Sequence, residues 1–120
     1  MINNFDKLKV LEFAHKFTLE IYKLSKNFPS DERFRLTDQI CRSSSSVPAN
    51  IVEGSCRKTK KEYIQFLYQA KGSLAETQYH LLLAKDLKLI NQDIFENLIS
   101  KSDEIGRMLS GLVLYLRSKT

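Results

Sequence analysis

The sequence predicts an all-α protein, an antiparallel up-down-up-down four-helix bundle. Three observations carry that expectation. Apolar residues recur at three- and four-residue intervals in four separate segments, the breaks between segments are short and hold proline or cap signals, and no run alternates as a strand does. With 120 residues and 42% hydrophobic content, the chain is the right size for one core, so a single domain over 1–120 is expected. The longest apolar run, Leu112 to Leu116, is far short of the roughly twenty residues of a membrane span. Charges in MINNFDKLK stand where an exported chain would carry its apolar segment, so the expected protein is soluble and cytoplasmic.

Helix one follows from Ala14, Phe17, Ile21, Leu24 and Phe28, whose spacing makes one stripe. Pro29 sets its end, because the residue before a proline is pushed out of the helical region, and Lys23 and Lys26 suit the negative end of the dipole. Its start falls between Asn4 and Val10.

Ser30 can cap helix two, with Asp31 and Glu32 in the first turn. The following ICRSSSSVPANIVEGSCR looks like a hinge, yet Leu36, Ile40, Val47 and Ile51 enter and leave the serine run in phase. A continuous rod over residues 36 to 57 is therefore favoured, with Ser43 and Ser44 in the missing stripe positions and Ala49 and Gly54 keeping one side thin. Pro48 cannot donate to the Ser44 carbonyl, so a kink is expected there, and serine hydroxyls or packing must offset a cost of roughly 3 kcal/mol. The rival reading breaks the chain at Ser46 and caps a new helix with Asn50, which has capping-box spacing to Glu53.

Thr59 and Glu62 form a T-x-x-E box that opens helix three, where Tyr63, Leu67, Ala70, Leu74, Thr77, Leu81 and Ala84 repeat at four and three. Ile64, Phe66, Tyr68, Leu82 and Leu83 widen that face, so the helix has more than one neighbour. Asn91 can cap helix four, whose stripe is Ile94, Leu98, Ile105, Leu109, Leu112 and Leu116. Gly106 and Gly111 each cost about 1 kcal/mol inside a helix, which predicts close packing at both.

Catalysis finds little to work with. His15 and His80 stand outside any triad-like sequence, and Glu76 with His80 at i, i+4 reads as a surface pair rather than half of a di-iron site. Cys41 and Cys56 lie about 22 Å apart on one helix, too far for a bridge or a shared metal, and are expected as inert buried thiols. No catalytic residue, metal or cofactor is expected. Asn50, Glu53 and Arg57 on helix two and Glu62, Gln69, Ser73 and Glu76 on helix three form two polar stripes that can meet as a buried network or a subunit contact.

Arg57, Lys58, Lys60 and Lys61 supply four positive charges to a chain of net charge +5. Lys60 and Lys61 in the first turn of helix three oppose the dipole, and phosphate at the exposed amides would compensate. Neutralisation of a solvated corner by Glu62 is the plainer reading. Tyr63, Phe66 and Tyr68 follow at helical spacing, as core or as a stacking platform.

The runs LTDQICR, VPANIVEG and EYIQFLYQAKGSLAE, with Arg57 between the last two and FDKLKV at the start, resemble the four-helix-bundle proteins encoded in intervening sequences of bacterial 23S ribosomal RNA genes. The resemblance covers nearly the whole chain. It implies a homo-oligomeric ring, a pentamer, associated with RNA or DNA or with a protein partner such as the reverse transcriptase of diversity-generating retroelements. Cys41 stands where the family pattern has an arginine beside Arg42, and Val52 replaces the alanine of NIAEG. The first departure removes a charge from the Arg42 neighbourhood, a candidate nucleic-acid contact.

Two function classes follow: a nucleic-acid-associated oligomer, or a protein-interaction module whose charge serves solubility.

Overall fold

In the computed structural model, which describes residues 8–119, four α-helices pack side by side. They are α1 (Lys9–Ser25), α2 (Asp38–Ser55), α3 (Lys60–Asp86) and α4 (Gln92–Ser118). The bundle measures 47 × 24 × 20 Å. Side-chain contacts give the directions. Thr18 and Ser25 of α1 reach Ser44 and Cys41 of α2, Ser43 and Ser46 of α2 reach Thr77 and Ser73 of α3, and Lys71 and Gln78 of α3 reach Ser110 and Ser102 of α4. Rising numbers on one helix meet falling numbers on the next, so each of these three neighbouring pairs is antiparallel. The tightest packing joins α2 to α3, and the loosest adjacent pair is α1 with α4.

The predicted stripes form the core. Every heptad position of α3 from Tyr63 to Ala84 is buried, as are Leu36, Ile40, Val47 and Ile51, with Ser43 and Ser44 buried between them. On α4 the stripe is partly corrected: Ile94 is exposed and Leu112 half-buried, while Val113 takes the core position. Among the described residues, no helix is long and apolar enough to cross a membrane.

Helix two is continuous through the serines and Pro48, so the hinge reading and the Asn50 cap are both excluded. Its start is corrected. Ser30–Glu32 form a 3₁₀ turn and Arg33–Thr37 a π-helical turn in which Arg35 leaves helical dihedrals at φ −117°, ψ −105°. The chain must leave Pro29 and still deliver Leu36 into the core, and this joint does so. The irregular dihedrals thus fall upstream of α2, at Arg35, while Pro48 sits within unbroken helix.

Pro48 survives because its orphan is served. The Thr18 hydroxyl lies 3.0 Å from the Ser44 carbonyl and 2.9 Å from the Ala14 carbonyl. The Ala14 carbonyl faces the Thr18 amide of its own helix, so the hydroxyl proton is needed at Ser44, which lacks the amide of residue 48.

Thin-sidedness belongs to Gly54, not Ala49. A Cβ on Gly54 would sit 2.7 Å from Phe66 Cβ, whereas Ala49 is exposed. The expected close packing at the α4 glycines is overturned: a Cβ on Gly106 would make only an ordinary contact with Leu74, and one on Gly111 would meet nothing within 4 Å.

At the end of α3, Leu89 N–H bonds the Ala84 carbonyl and Lys88 N–H the Lys85 carbonyl, with Lys88 left-handed at φ 64°. That is a Schellman turn with lysine where glycine is usual. Asn91 then caps α4 by accepting from Ile94 N–H at 2.8 Å.

Candidate functional site

The start of α3 is built by Thr59, whose hydroxyl accepts from Glu62 N–H at 3.1 Å and donates to the Glu62 carboxylate at 3.0 Å. The capping box therefore closes through the hydroxyl. It also ties up Glu62, the carboxylate expected to neutralise the lysines beside it. Lys60 Nζ donates to the Lys119 carbonyl at 2.7 Å, bridging the start of α3 to the end of α4. Lys58 and Lys61 are exposed and form no ion pair among the described residues. Arg57 pairs outward with Glu53 at 3.1 Å and lays its guanidinium 4.6 Å from the Phe66 ring centroid.

Arg42 is not part of this corner. It pairs with Asp38 at 3.9 Å, fifteen residues before Arg57, or about 22 Å along a helix axis.

A cleft of about 200 Å³ opens among Arg57, Lys58, Lys60, Tyr63 and Leu116. Tyr63 is core rather than platform. Its hydroxyl is the buried side-chain polar atom that lacks a hydrogen bond among the described residues, and burial pushes the phenol pKa up.

The two polar stripes do meet, but the serines make the junction. Ser73 donates to Ser46 Oγ at 2.9 Å, and Asn50 Nδ2 donates to the same oxygen at 3.0 Å. One turn earlier on α2, Thr77 donates to Ser43 Oγ at 2.8 Å, and Ser43 lies 3.3 Å from His80 Nδ1. Of the residues expected in this network, Asn50 and Ser73 are brought together. Glu53 and Arg57 pair with each other on the surface, the Glu62 carboxylate accepts from the Thr59 hydroxyl at the start of α3, and Glu76 faces His80 Nε2 at 3.9 Å. Ser43, Ser46 and Thr77 were missed as members; the in-phase stripe that put Ser43 and Thr77 in the core was the available signal.

His80 is buried, correcting the surface-pair expectation, and burial pulls its imidazole below the usual value while Glu76 raises it. A neutral ring accepting at Nδ1 offers the Ser43 hydroxyl an acceptor, and the Thr77 hydroxyl in turn has two, Ser43 Oγ and the Ser73 carbonyl at 2.9 Å. Ser43, His80 and Glu76 resemble a nucleophile, base and acid in composition only. Ser43 is enclosed, its oxygen accepts from Thr77, and Ile40 offers its proton a second acceptor, so the group is a structural seam.

The cysteines are both free, Cys41 half-buried against Ser25 Oγ at 3.2 Å and Cys56 exposed, so only the first approaches the buried state expected of both. Among the described residues, no cluster of three or more His, Cys, Asp or Glu side chains has the arrangement of a metal site.

A family model described as 23S rRNA-intervening sequence protein matches residues 6–111. A crystal structure of a protein of unknown function from the S23 ribosomal protein family of Bacteroides thetaiotaomicron VPI-5482 superposes with a TM-score of 0.81 and 28% identity, covering 87% of this chain and 97% of that one. No curated protein matches the chain.

Proposed function

Because the chain belongs to the 23S rRNA-intervening sequence protein family, we propose that it acts without catalysis, as a homo-oligomeric helical bundle that associates with nucleic acid through the basic corner. One observation carries this reading. Lys58 and Lys61 stand exposed without ion pairs among the described residues at the positive end of a 27-residue helix, where charge repels charge unless an anion intervenes.

Assembly would multiply the effect. Five copies of a +5 chain make a ring of about +25, a strong attractor for phosphate. The test is affinity for structured RNA and for duplex DNA across a salt series, with solution mass measured in parallel. Binding that weakens with salt and drops sharply in a Lys58→Glu/Lys61→Glu variant supports the proposal. No binding at low salt, or indifference to that variant, removes it.

A second reading, a protein-interaction module or reverse-transcriptase accessory without direct nucleic-acid contact, is favoured by exposed apolar residues Tyr79, Leu82 and Leu87 near the end of α3. It predicts an oligomer by light scattering with negligible nucleic-acid affinity.

A further inference from the structure

Resting on the reading that the corner takes phosphate, we propose that the strand it takes is single, and that Tyr68 is the platform on which one of its bases stacks. Three aromatic residues follow the basic run, and the structure separates them. Tyr63 is buried, Phe66 is half-buried under the Arg57 guanidinium, and Tyr68 remains 40% exposed.

Lys61 and Tyr68 lie seven residues apart, on one face of α3, at a separation of about 10.5 Å. That is the length of about three stacked nucleotides at 3.4 Å each. Cations from two helices lie over the ring, Lys71 Nζ 5.8 Å and the Arg117 guanidinium 5.6 Å from its centroid, so a stacking base shares the ring with them or displaces one; Arg117 also donates to the phenol oxygen. Lys71 is steadied by Ser110, 2.9 Å away on α4. Beyond the ring the face continues through Gly72 and Ala75, both exposed, and a Cβ on Gly72 would meet no atom within 4 Å.

An exposed ring with two cations over it, next to a corner whose Lys58 and Lys61 form no ion pair among the described residues, has the composition of a single-strand site, where aromatic faces take bases and cations follow the backbone. In a duplex the bases are already stacked on one another. A duplex would therefore reach the lysines and not the tyrosine.

The experiment uses the intact chain, with fluorescence anisotropy of a single-stranded oligothymidylate and of a duplex of equal length. The single strand should bind at least about tenfold tighter. Tyr68→Ala should abolish that margin while leaving duplex affinity unchanged, and Tyr68→Phe, which keeps the ring and loses the hydroxyl, should retain it. Quenching of tyrosine emission by the bound strand should fall in the alanine variant. Equal affinity for the two forms, or a margin that survives Tyr68→Ala, overturns the assignment of Tyr68 and leaves the phosphate reading standing. So does a Tyr68→Ala variant that changes the solution mass but neither affinity, since the ring then serves a subunit contact. Indifference of both affinities to Lys58→Glu/Lys61→Glu overturns the phosphate reading itself.

Discussion

Pro48 has no amide proton, so the Ser44 carbonyl depends on a hydroxyl from another helix, Thr18 at 3.0 Å. Replacing Thr18 with valine keeps the shape and removes the donor, which should cost about 1–3 kcal/mol for an unsatisfied buried carbonyl. Pro48→Ala returns an amide to that carbonyl. In the Pro48→Ala background the same valine should therefore cost much less, and a double-mutant cycle by urea unfolding reads the difference. His80 offers a second test at this scale. Its folded pKa lies below the usual 6.5 because burial disfavours the imidazolium. Between 6.5 and that lowered value, the unfolded chain holds a proton that the folded chain lacks. Its contribution to stability is thus complete above pH 6.5 and lost as pH falls through the window. His80→Gln should flatten the stability profile there, as measured by melting temperature against pH.

Glycines separate two meanings at the level of the helix. Gly54 is where α2 lies against Phe66 and Tyr63 of α3, so Gly54→Ala should destabilise by about 1–3 kcal/mol through overpacking. Gly111 faces open space, and Gly111→Ala should stabilise by about 1 kcal/mol through helix propensity alone. Thermal unfolding of the two variants should move in opposite directions. The sequence did not distinguish these glycines, since a missing side chain looks the same whether a neighbour requires it or nothing does. Much else at this scale was legible. The α3 stripe, the Thr59 and Asn91 caps and the continuity of α2 all follow from spacing, which records the burial of a face. What spacing does not record is the joint at Arg35: Ser30, Asp31 and Glu32 look like a helix start, and the demand to place Leu36 in the core comes from the other helices. For the candidate site, the basic run was readable as charge, but Arg117 and Lys119 are contributed by a distant segment and only folding sets them beside α3.

Over the whole molecule, packing is uneven. The α2–α3 pair is tightest, while α1 and α4 leave a cleft of about 420 Å³ among Glu20, Leu24, Ile94 and Leu98, with Lys101 and Glu20 paired at 2.7 Å farther along. Local opening follows contact density, so native-state hydrogen exchange should find the most protected amides in α2 and α3, with α1 and α4 opening at lower free energy. Uniform protection across the four helices would contradict that ranking. The Thr18 link carries a further consequence for the order of events as the chain folds. A segment of 18 residues containing a proline is a poor autonomous helix. Its broken ladder is completed only from α1, so the Ser44 carbonyl gains its hydroxyl partner when α1 docks onto the α2–α3 pair, and α2 reaches its finished form late.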